Sequence, residues 1–327
     1  DEETDELYLQ AIVCAVDSGC NVLDTAINYR CQRSERNIGE ALRELARKGI
    51  GREQVVVATK GGFVPFQGAP PANVDDYVEK TFFSTGVLSP QDVVSGRHGS
   101  HAMTPGYLEN QLEQSRSNLG LDTIDVYYLH NPEIQLGAIA REELMRRLRA
   151  AFGVLEEAAD KGRICFYGTA TWSAYRRPQE AQDYLSMESL ESLARDVAGD
   201  QHRFRFVQLP YSLAMTEAFT ACNQVVRDRT VSAFQAAEEL GLHIMSSASI
   251  CQGRLTRGLP DWFGTLFKGF STDAQRSIQF ARSTPGLTTA LVGMKQIQHV
   301  EENLAVAKVP PSPLEDILKL FEVDNQE

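Results

Sequence analysis

Asp24, Tyr29, Lys60 and His130 are the residues of this chain whose types and spacing could do chemistry together. A carboxylate, a phenol, an amine and an imidazole suit proton transfer. An unperturbed phenol titrates at about 10, so a tyrosine works as an acid near neutral pH only beside a cation that stabilises its phenolate. Lys60 could be that cation, and Asp24 could hold it charged. Taken singly, each has an ordinary explanation: a strand-end Asp caps the next helix, a rim Tyr packs, a Lys is solvated, and a buried His is structural. Position is what joins them. Short apolar runs end at Asp24 (Asn21-Val22-Leu23-Asp24), at Lys60 (Val55-Val56-Val57-Ala58-Thr59-Lys60) and at His130 (Ile124-Asp125-Val126-Tyr127-Tyr128-Leu129-His130), with Tyr29 shortly after the first. Such runs read as buried parallel strands, and the carboxyl ends of barrel strands are where (β/α)8 enzymes keep their chemistry.

The elements that must position these groups alternate along the whole chain. The first 20 residues suit a helix, with Leu7, Leu9, Ile12, Val13 and Val16 as its apolar stripe and Gly19 as its stop. Strands are expected at Asn21–Thr25, Val55–Lys60, Ile124–His130, Ile164–Ala170, Phe204–Leu209, His243–Ser247 and Thr288–Gly293. Between them, helices are expected around Arg36–Arg47, from Thr104-Pro105 to Leu119, and over Arg141–Lys161, Met187–Ala198, Val231–Leu240, Thr272–Arg282 and finally His299–Val306. Alternation of this kind implies right-handed βαβ units and a parallel sheet in one domain over residues 1–327. Seven strands and a chain that opens on a helix lead to a (β/α)8 TIM barrel whose first strand is expected upstream of Asp1. A flavodoxin-like open sheet is the second architecture, but it would leave two unpaired edges.

Composition narrows the function. The chain has 327 residues, 43% hydrophobic and 23% charged, enough to bury a large core. Its net charge of -12 argues against nucleic-acid or anionic-membrane partners. No apolar stretch approaches the ~20 residues that span a bilayer, and the acidic Asp1-Glu2-Glu3 is unlike a secretory leader. Six scattered cysteines without a CxxC pair are expected to be free buried thiols in a reducing cytoplasm. His98 and His101 lie in a Gly-Ser stretch without nearby carboxylate or thiol partners; a solvated loop is expected there, and no metal. Nothing in the sequence indicates an oligomer.

The ordered motifs resemble those of the aldo-keto reductase family: Asp24-Thr25-Ala26-Ile27-Asn28-Tyr29, Ala58-Thr59-Lys60, Tyr128-Leu129-His130-Asn131-Pro132, and Ser34-Glu35 followed by Ile38-Gly39-Glu40-Ala41-Leu42. Gly286–Gly293 with Glu301-Glu302-Asn303 is similar to the family's last strand and helix. The resemblance implies an NADP(H)-dependent reductase of a small aldehyde or ketone. In that role Tyr29 is the proton donor, Lys60 and Asp24 assist it, and His130 orients the substrate oxygen. The same resemblance implies that Thr171 and Gln208 meet the nicotinamide carboxamide. Gly253, Leu255 and Gly293 would lie along the pyrophosphate, and Lys295, His299, Glu302 and Asn303 at the adenosine end, with Lys295 toward a 2′-phosphate. Gln208 could instead satisfy buried backbone groups, and Lys295 could be an ordinary helix-start charge.

Three stretches depart from the family's pattern. Gly168-Thr169-Ala170-Thr171 replaces a Ser-Asn pair, Met245-Ser246-Ser247-Ala248-Ser249 lacks a stacking aromatic, and Arg30-Cys31-Gln32-Arg33 lengthens the segment after Tyr29 by two residues. These keep two other readings open: a non-redox lyase, isomerase or cyclase on the same barrel, and an NADP(H)-binding subunit with little turnover. The long segment 61–103 is rich in aromatics and is expected to pack over the rim as a lid. Phe63, Trp172, Tyr175 and Tyr211 are expected to line the mouth, where an apolar or aromatic carbonyl compound would fit.

Overall fold

The computed structural model describes residues 1–96 and 99–322. Its centre is one sheet of seven parallel strands: β1 (Val22–Asp24), β2 (Val56–Gly61), β5 (Ile124–His130), β6 (Ile164–Ala170), β7 (Phe204–Pro210), β10 (His243–Ser247) and β11 (Leu287–Ala290), paired in that order. Two antiparallel hairpins stand apart from it, β3 (Val94–Gly96) with β4 (Gly99–His101), and β8 (Cys222–Val226) with β9 (Arg229–Ser232). The register sets Lys60 beside Tyr128 and His130 beside Ala170, so the strand ends come level at one rim.

Helices α1 (Glu2–Asp17), α2 (Arg33–Arg47), α4 (Pro105–Leu119), α5 (Arg141–Asp160), α6 (Met187–Ala198), α8 (Ala233–Glu239), α10 (Asp273–Ser283) and α11 (Ile297–Leu304) link the strands or cover them. Shorter helices α3 (Val74–Val78), α7 (Glu217–Thr220) and α9 (Phe263–Leu266) lie in connections, and α12 (Leu314–Glu322) is the last element described. Helices α1, α2, α4, α5 and α6 bury apolar stripes. Val13, Leu45, Leu112, Leu148, Phe152 and Leu190 enter one continuous core with Val57, Tyr127 and Tyr167 from the strands. Inside the barrel, Ala58, Val126, Tyr128, Ala170 and Met245 form a second, smaller cluster.

The barrel is nearly closed. Among the described residues no strand pairs with the outer edge of β1 or of β11, and the eighth strand expected upstream of Asp1 is not among them. A cavity of about 790 Å³ separates the two edges, lined by residues 20–24 on one side and 289–294 on the other, with Tyr8, Ala11, Ile12 and Ala15 of α1 across it. The open edge also explains why β11 ends at Ala290 and not at Gly293: only the stretch opposite Ile244–Ser246 has a partner.

Other boundaries correct the sequence reading. The helix expected over Val231–Leu240 begins at Ala233, because Val231 and Ser232 belong to β9 and Ser232 caps α8 in a capping box with Gln235. The hairpin before it turns at Arg227-Asp228, both left-handed with φ 48° and 62°, without the Asn-Gly signal that usually marks such a turn. Helix α12 follows the one expected to be last. The segment 61–103 is not bare loop. It holds α3, a π-helical turn (Glu79–Phe83) and the β3–β4 hairpin, packed around its own cluster of Val64, Val78, Phe82 and Leu88 against Tyr107 of α4. The six cysteines are free, but none is fully buried, and Cys165 and Cys222 are exposed.

Where β6 meets β7 the register shifts between Tyr167 and Gly168, and a Cβ at Gly168 would stand 1.8 Å from the Phe206 carbonyl oxygen. Gly168→Ala must therefore push the two strands apart beside Thr169 and Thr171. We expect it to lower stability by about 1–3 kcal/mol, measured as a shift in urea midpoint; an unchanged midpoint would mean the strands are not in this close register.

Candidate active site

Asp24, at the end of β1, and Lys60, one residue before the end of β2, meet directly. The Lys60 ammonium is fully buried and donates to Asp24 Oδ2 at 2.6 Å and to the Thr25 carbonyl at 2.7 Å. Burial works against its charge, but Asp24 and then Tyr29 outweigh that and raise its pKa above the usual lysine range. The other oxygen of Asp24 accepts from Gln208 Nε2 at 2.8 Å, which ties β7 to β1 across the barrel. Gln208 thus commits one amide N–H to Asp24, and its second N–H and its amide oxygen are what it can offer a ligand.

Tyr29 lies over this pair, with Lys60 Nζ 5.2 Å from its ring centroid. It is 39% exposed, unlike the lysine beneath it. Its ring meets that of His130 edge to face at 5.7 Å. Burial, the Lys60 charge and His101 hold His130 well below the usual histidine range, so its ring is neutral. The turn carrying Tyr29 is strained: Arg30, Cys31 and Gln32 are all left-handed, with φ of 49°, 54° and 69°. Left-handed backbone costs a non-glycine residue roughly 1–2 kcal/mol. Clamps from three directions hold it. Asp5 of α1 pairs with both Arg30 and Arg33, Gln32 Nε2 donates to the Phe66 carbonyl, and Asn118 of α4 donates to Gln32 Oε1. The longer turn noticed in the sequence is thus built into the scaffold on every side.

Several buried polar atoms around this rim have no protein partner, among them Thr25 Oγ1, Asn28 Oδ1, Tyr128 Oη, His130 Nδ1, Glu133 Oε2 and Thr171 Oγ1. Buried polar atoms are ordinarily paired, so such a cluster suits a polar ligand. Thr171 Oγ1 and the free amide oxygen of Gln208 together could take a carboxamide. Asp24, Tyr29, Gln208, Ser247, Gly293 and Asn303 line the same 790 Å³ cavity. Gly253 and Leu255 are half-buried after β10, and Gly293, Lys295 and His299 are exposed near the start of α11, with Glu302 half-buried within it.

Two expected mouth residues are elsewhere. Tyr175 and Tyr211 are fully buried in the main core, their hydroxyls hydrogen-bonded to Thr169 Oγ1 at 2.5 Å and Thr284 Oγ1 at 3.0 Å. Both follow strands at the rim, but their rings turn back under the loops. Trp172, by contrast, is 50% exposed, and Phe63 packs its ring edge to face with that of His130 at 4.9 Å. His101 is likewise not solvated: it is fully buried under His130, while His98 lies outside the described residues.

Glu133 escaped the sequence reading, although Pro132-Glu133 directly follows a rim strand. Its Oε1 accepts from the backbone N–H of Trp172 at 2.8 Å and of Ser173 at 3.4 Å, fastening the loop after β6 to the loop after β5. Burial pushes its carboxyl up to about 7, against the pull of those N–H groups. Between the ordinary value of 4.5 and about 7, the folded protein holds a proton that the unfolded chain has shed. That stabilising contribution is complete below 4.5 and is lost as pH rises through about 7. Relative to Glu133→Gln, the parent should therefore lose stability between pH 5 and 8, read from urea midpoints of both proteins; parallel curves would show that Glu133 does not titrate there.

A model described as the Aldo/keto reductase family matches residues 2–257. A D-threo-aldose 1-dehydrogenase from Pseudomonas sp is 27% identical over 224 residues, 67% of this chain and 56% of that protein. A probable voltage-gated potassium channel subunit beta from Arabidopsis thaliana is 29% identical over 161 residues, 49% of this chain. The matched stretch spans 36% of that protein's length, so these relatives are matched over little more than half their length at most. The crystal structure of an aldo/keto reductase from Klebsiella pneumoniae in complex with NADP and acetate superposes with a TM-score of 0.63 at 19% identity, covering 99% of this chain and 87% of that one. At that identity the likeness concerns the fold.

Proposed function

Since this chain belongs to the aldo/keto reductase family, we propose that it reduces an aldehyde or ketone using NADP(H), with Tyr29 as the proton donor. The observation that carries this reading is the fully buried Lys60 ammonium, held by Asp24 directly beneath the Tyr29 ring. A bound NADPH supplies the hydride, chemistry that no side chain offers. Thr171 and Gln208 would hold the nicotinamide carboxamide, and Lys295 near the start of α11 would face the 2′-phosphate.

The chain's own groups handle the proton. His130 is neutral and donates a hydrogen bond to the substrate oxygen, which fixes where negative charge develops. The Tyr29 hydroxyl gives that oxygen its proton. Lys60 stabilises the phenolate left behind, and Asp24, itself held by Gln208, keeps the ammonium charged in a site where burial would otherwise strip it. Phe63 and Trp172 give the mouth apolar walls, which favours an apolar or aromatic carbonyl compound. The similarity to a potassium channel beta subunit favours a second reading, a cofactor-binding subunit with little turnover.

Fluorescence titration with NADPH and NADH, followed by absorbance assays over a carbonyl panel, separates these. The reductase reading expects tight NADPH binding and turnover; binding without turnover supports the second reading, and no binding of either nucleotide sinks both. Tyr29→Phe should leave NADPH affinity near normal and cut kcat by about 10²–10⁴-fold, the usual worth of an acid–base group. Lys60→Met should also impair kcat. Parent-like rates in both variants would mean the proton comes from another group.

A further inference from the structure

We propose that His101 is a positioning residue for His130: the β3–β4 hairpin carries its imidazole to the main-chain carbonyl of His130, and a hydrogen-bond chain from α5 fixes which ring nitrogen holds the proton. The proposal rests on the reading of His130 as the group that binds the substrate oxygen. It concerns the segment 61–103, whose hairpin the site described above does not otherwise use.

The chain can be read from both ends. A guanidinium only donates, so the contact of Arg147 with Gln135 at 2.9 Å must use the Gln135 amide oxygen. The Gln135 amide nitrogen therefore faces His101 Nδ1, 3.1 Å away, and that nitrogen must accept. At the other end the His130 carbonyl only accepts, and His101 Nε2 lies 2.7 Å from it. Both ends demand the same tautomer, with the proton on Nε2. A second proton on Nδ1 would oppose the Gln135 N–H, and burial independently keeps His101 neutral, lowering it to about 4. Arg147 is in turn paired with Glu143 at 2.8 Å, which anchors the chain to α5.

The surrounding packing is built around this bond. Phe63 presents ring contacts to both imidazoles, 5.2 Å from His101 and 4.9 Å from His130. At Gly62 a Cβ would stand 2.6 Å from His101 Nε2 and 3.1 Å from the His130 oxygen, so a side chain there would intrude on the bond itself. The backbone of the hairpin is tied to the same stretch, with Ala102 N–H donating to the Gly62 carbonyl and Val64 N–H to that of Ser100. His130 thus gets its place from the hairpin as well as from its own strand. Misplacement of a reacting group by about 1 Å can cost 10²-fold in rate, so this anchor bears on turnover and not only on stability.

The test compares His101→Phe, which keeps a ring but loses the donor, with His101→Gln, whose amide nitrogen can stand near the position of Nε2. The phenylalanine variant should lose at least about 10-fold in kcat while its NADPH Kd stays within about 2-fold of the parent, and the glutamine variant should recover most of that loss. Equal losses in both, or unchanged kcat with only a lower Tm, would overturn the proposal in favour of a purely structural role. Nitrogen NMR of the histidine rings provides an arm that needs no activity. In the parent, His101 should appear as the neutral Nε2–H tautomer, and His130 ring resonances should move in His101→Phe but not in His101→Gln. An Nδ1–H tautomer, or His130 resonances unmoved by His101→Phe, would overturn the positioning role even if the protein proved not to reduce carbonyls; inactivity of the parent alone would instead count against the reductase reading.

Discussion

A fully buried ammonium is expensive, and the rim of this barrel is arranged around keeping one. Lys60 has no solvent to hydrate it, so its charge depends on Asp24 first and then on Tyr29, with the Thr25 carbonyl accepting a further hydrogen bond. Asp24 needs its own second partner, and Gln208 supplies it from the opposite side of the sheet. Three strands that are not all neighbours, β1, β2 and β7, are therefore locked together by one charge. Removing any member would leave a buried charge or polar atom without a partner, which ordinarily costs more than the intact network contributes.

Around that charge, burial works against ionisation of the other titratable groups. His130 and His101 are lowered by burial, Tyr128 is raised by burial and by Asp24, and Glu133 is pushed up to about 7. One cation–carboxylate pair thus stands in a buried setting, where its field on Tyr29 is screened less than in water. The loops complete this setting. The left-handed run after Tyr29 is held by Asp5, Phe66 and Asn118, Glu133 joins the loops after β5 and β6, and the β3–β4 hairpin reaches the backbone of His130. A rim residue that must sit to within a fraction of an ångström is here tied to more than one element.

Local pattern carried most of the frame. Ile124–His130, Ile164–Ala170 and His243–Ser247 lie where their apolar runs put them, because strands buried on both faces are written as continuous hydrophobic stretches. The convergence of Asp24, Tyr29, Lys60 and His130 was legible for a related reason: residues at the ends of parallel barrel strands have little choice but to share a rim. Short elements were less legible. Nothing in Arg227-Asp228 announces a tight turn, since only the packing of β8 and β9 makes two left-handed non-glycine residues worthwhile.

What sequence alone could not decide is where side chains in connections turn. Tyr175 and Tyr211 follow rim strands just as Trp172 does, yet the two tyrosines fold into the core, where their hydroxyls meet Thr169 and, from 73 residues along the chain, Thr284, while the tryptophan stays half-exposed. His101 and Glu133 show the same dependence. Each gains its role from partners far along the chain, His130 and Gln135 for one, Trp172 and Ser173 for the other. Periodicity and strand-end chemistry are local and survive in one dimension. Hydrogen-bond partners across loops, and the burial that sets a group's charge, exist only once the chain has closed on itself.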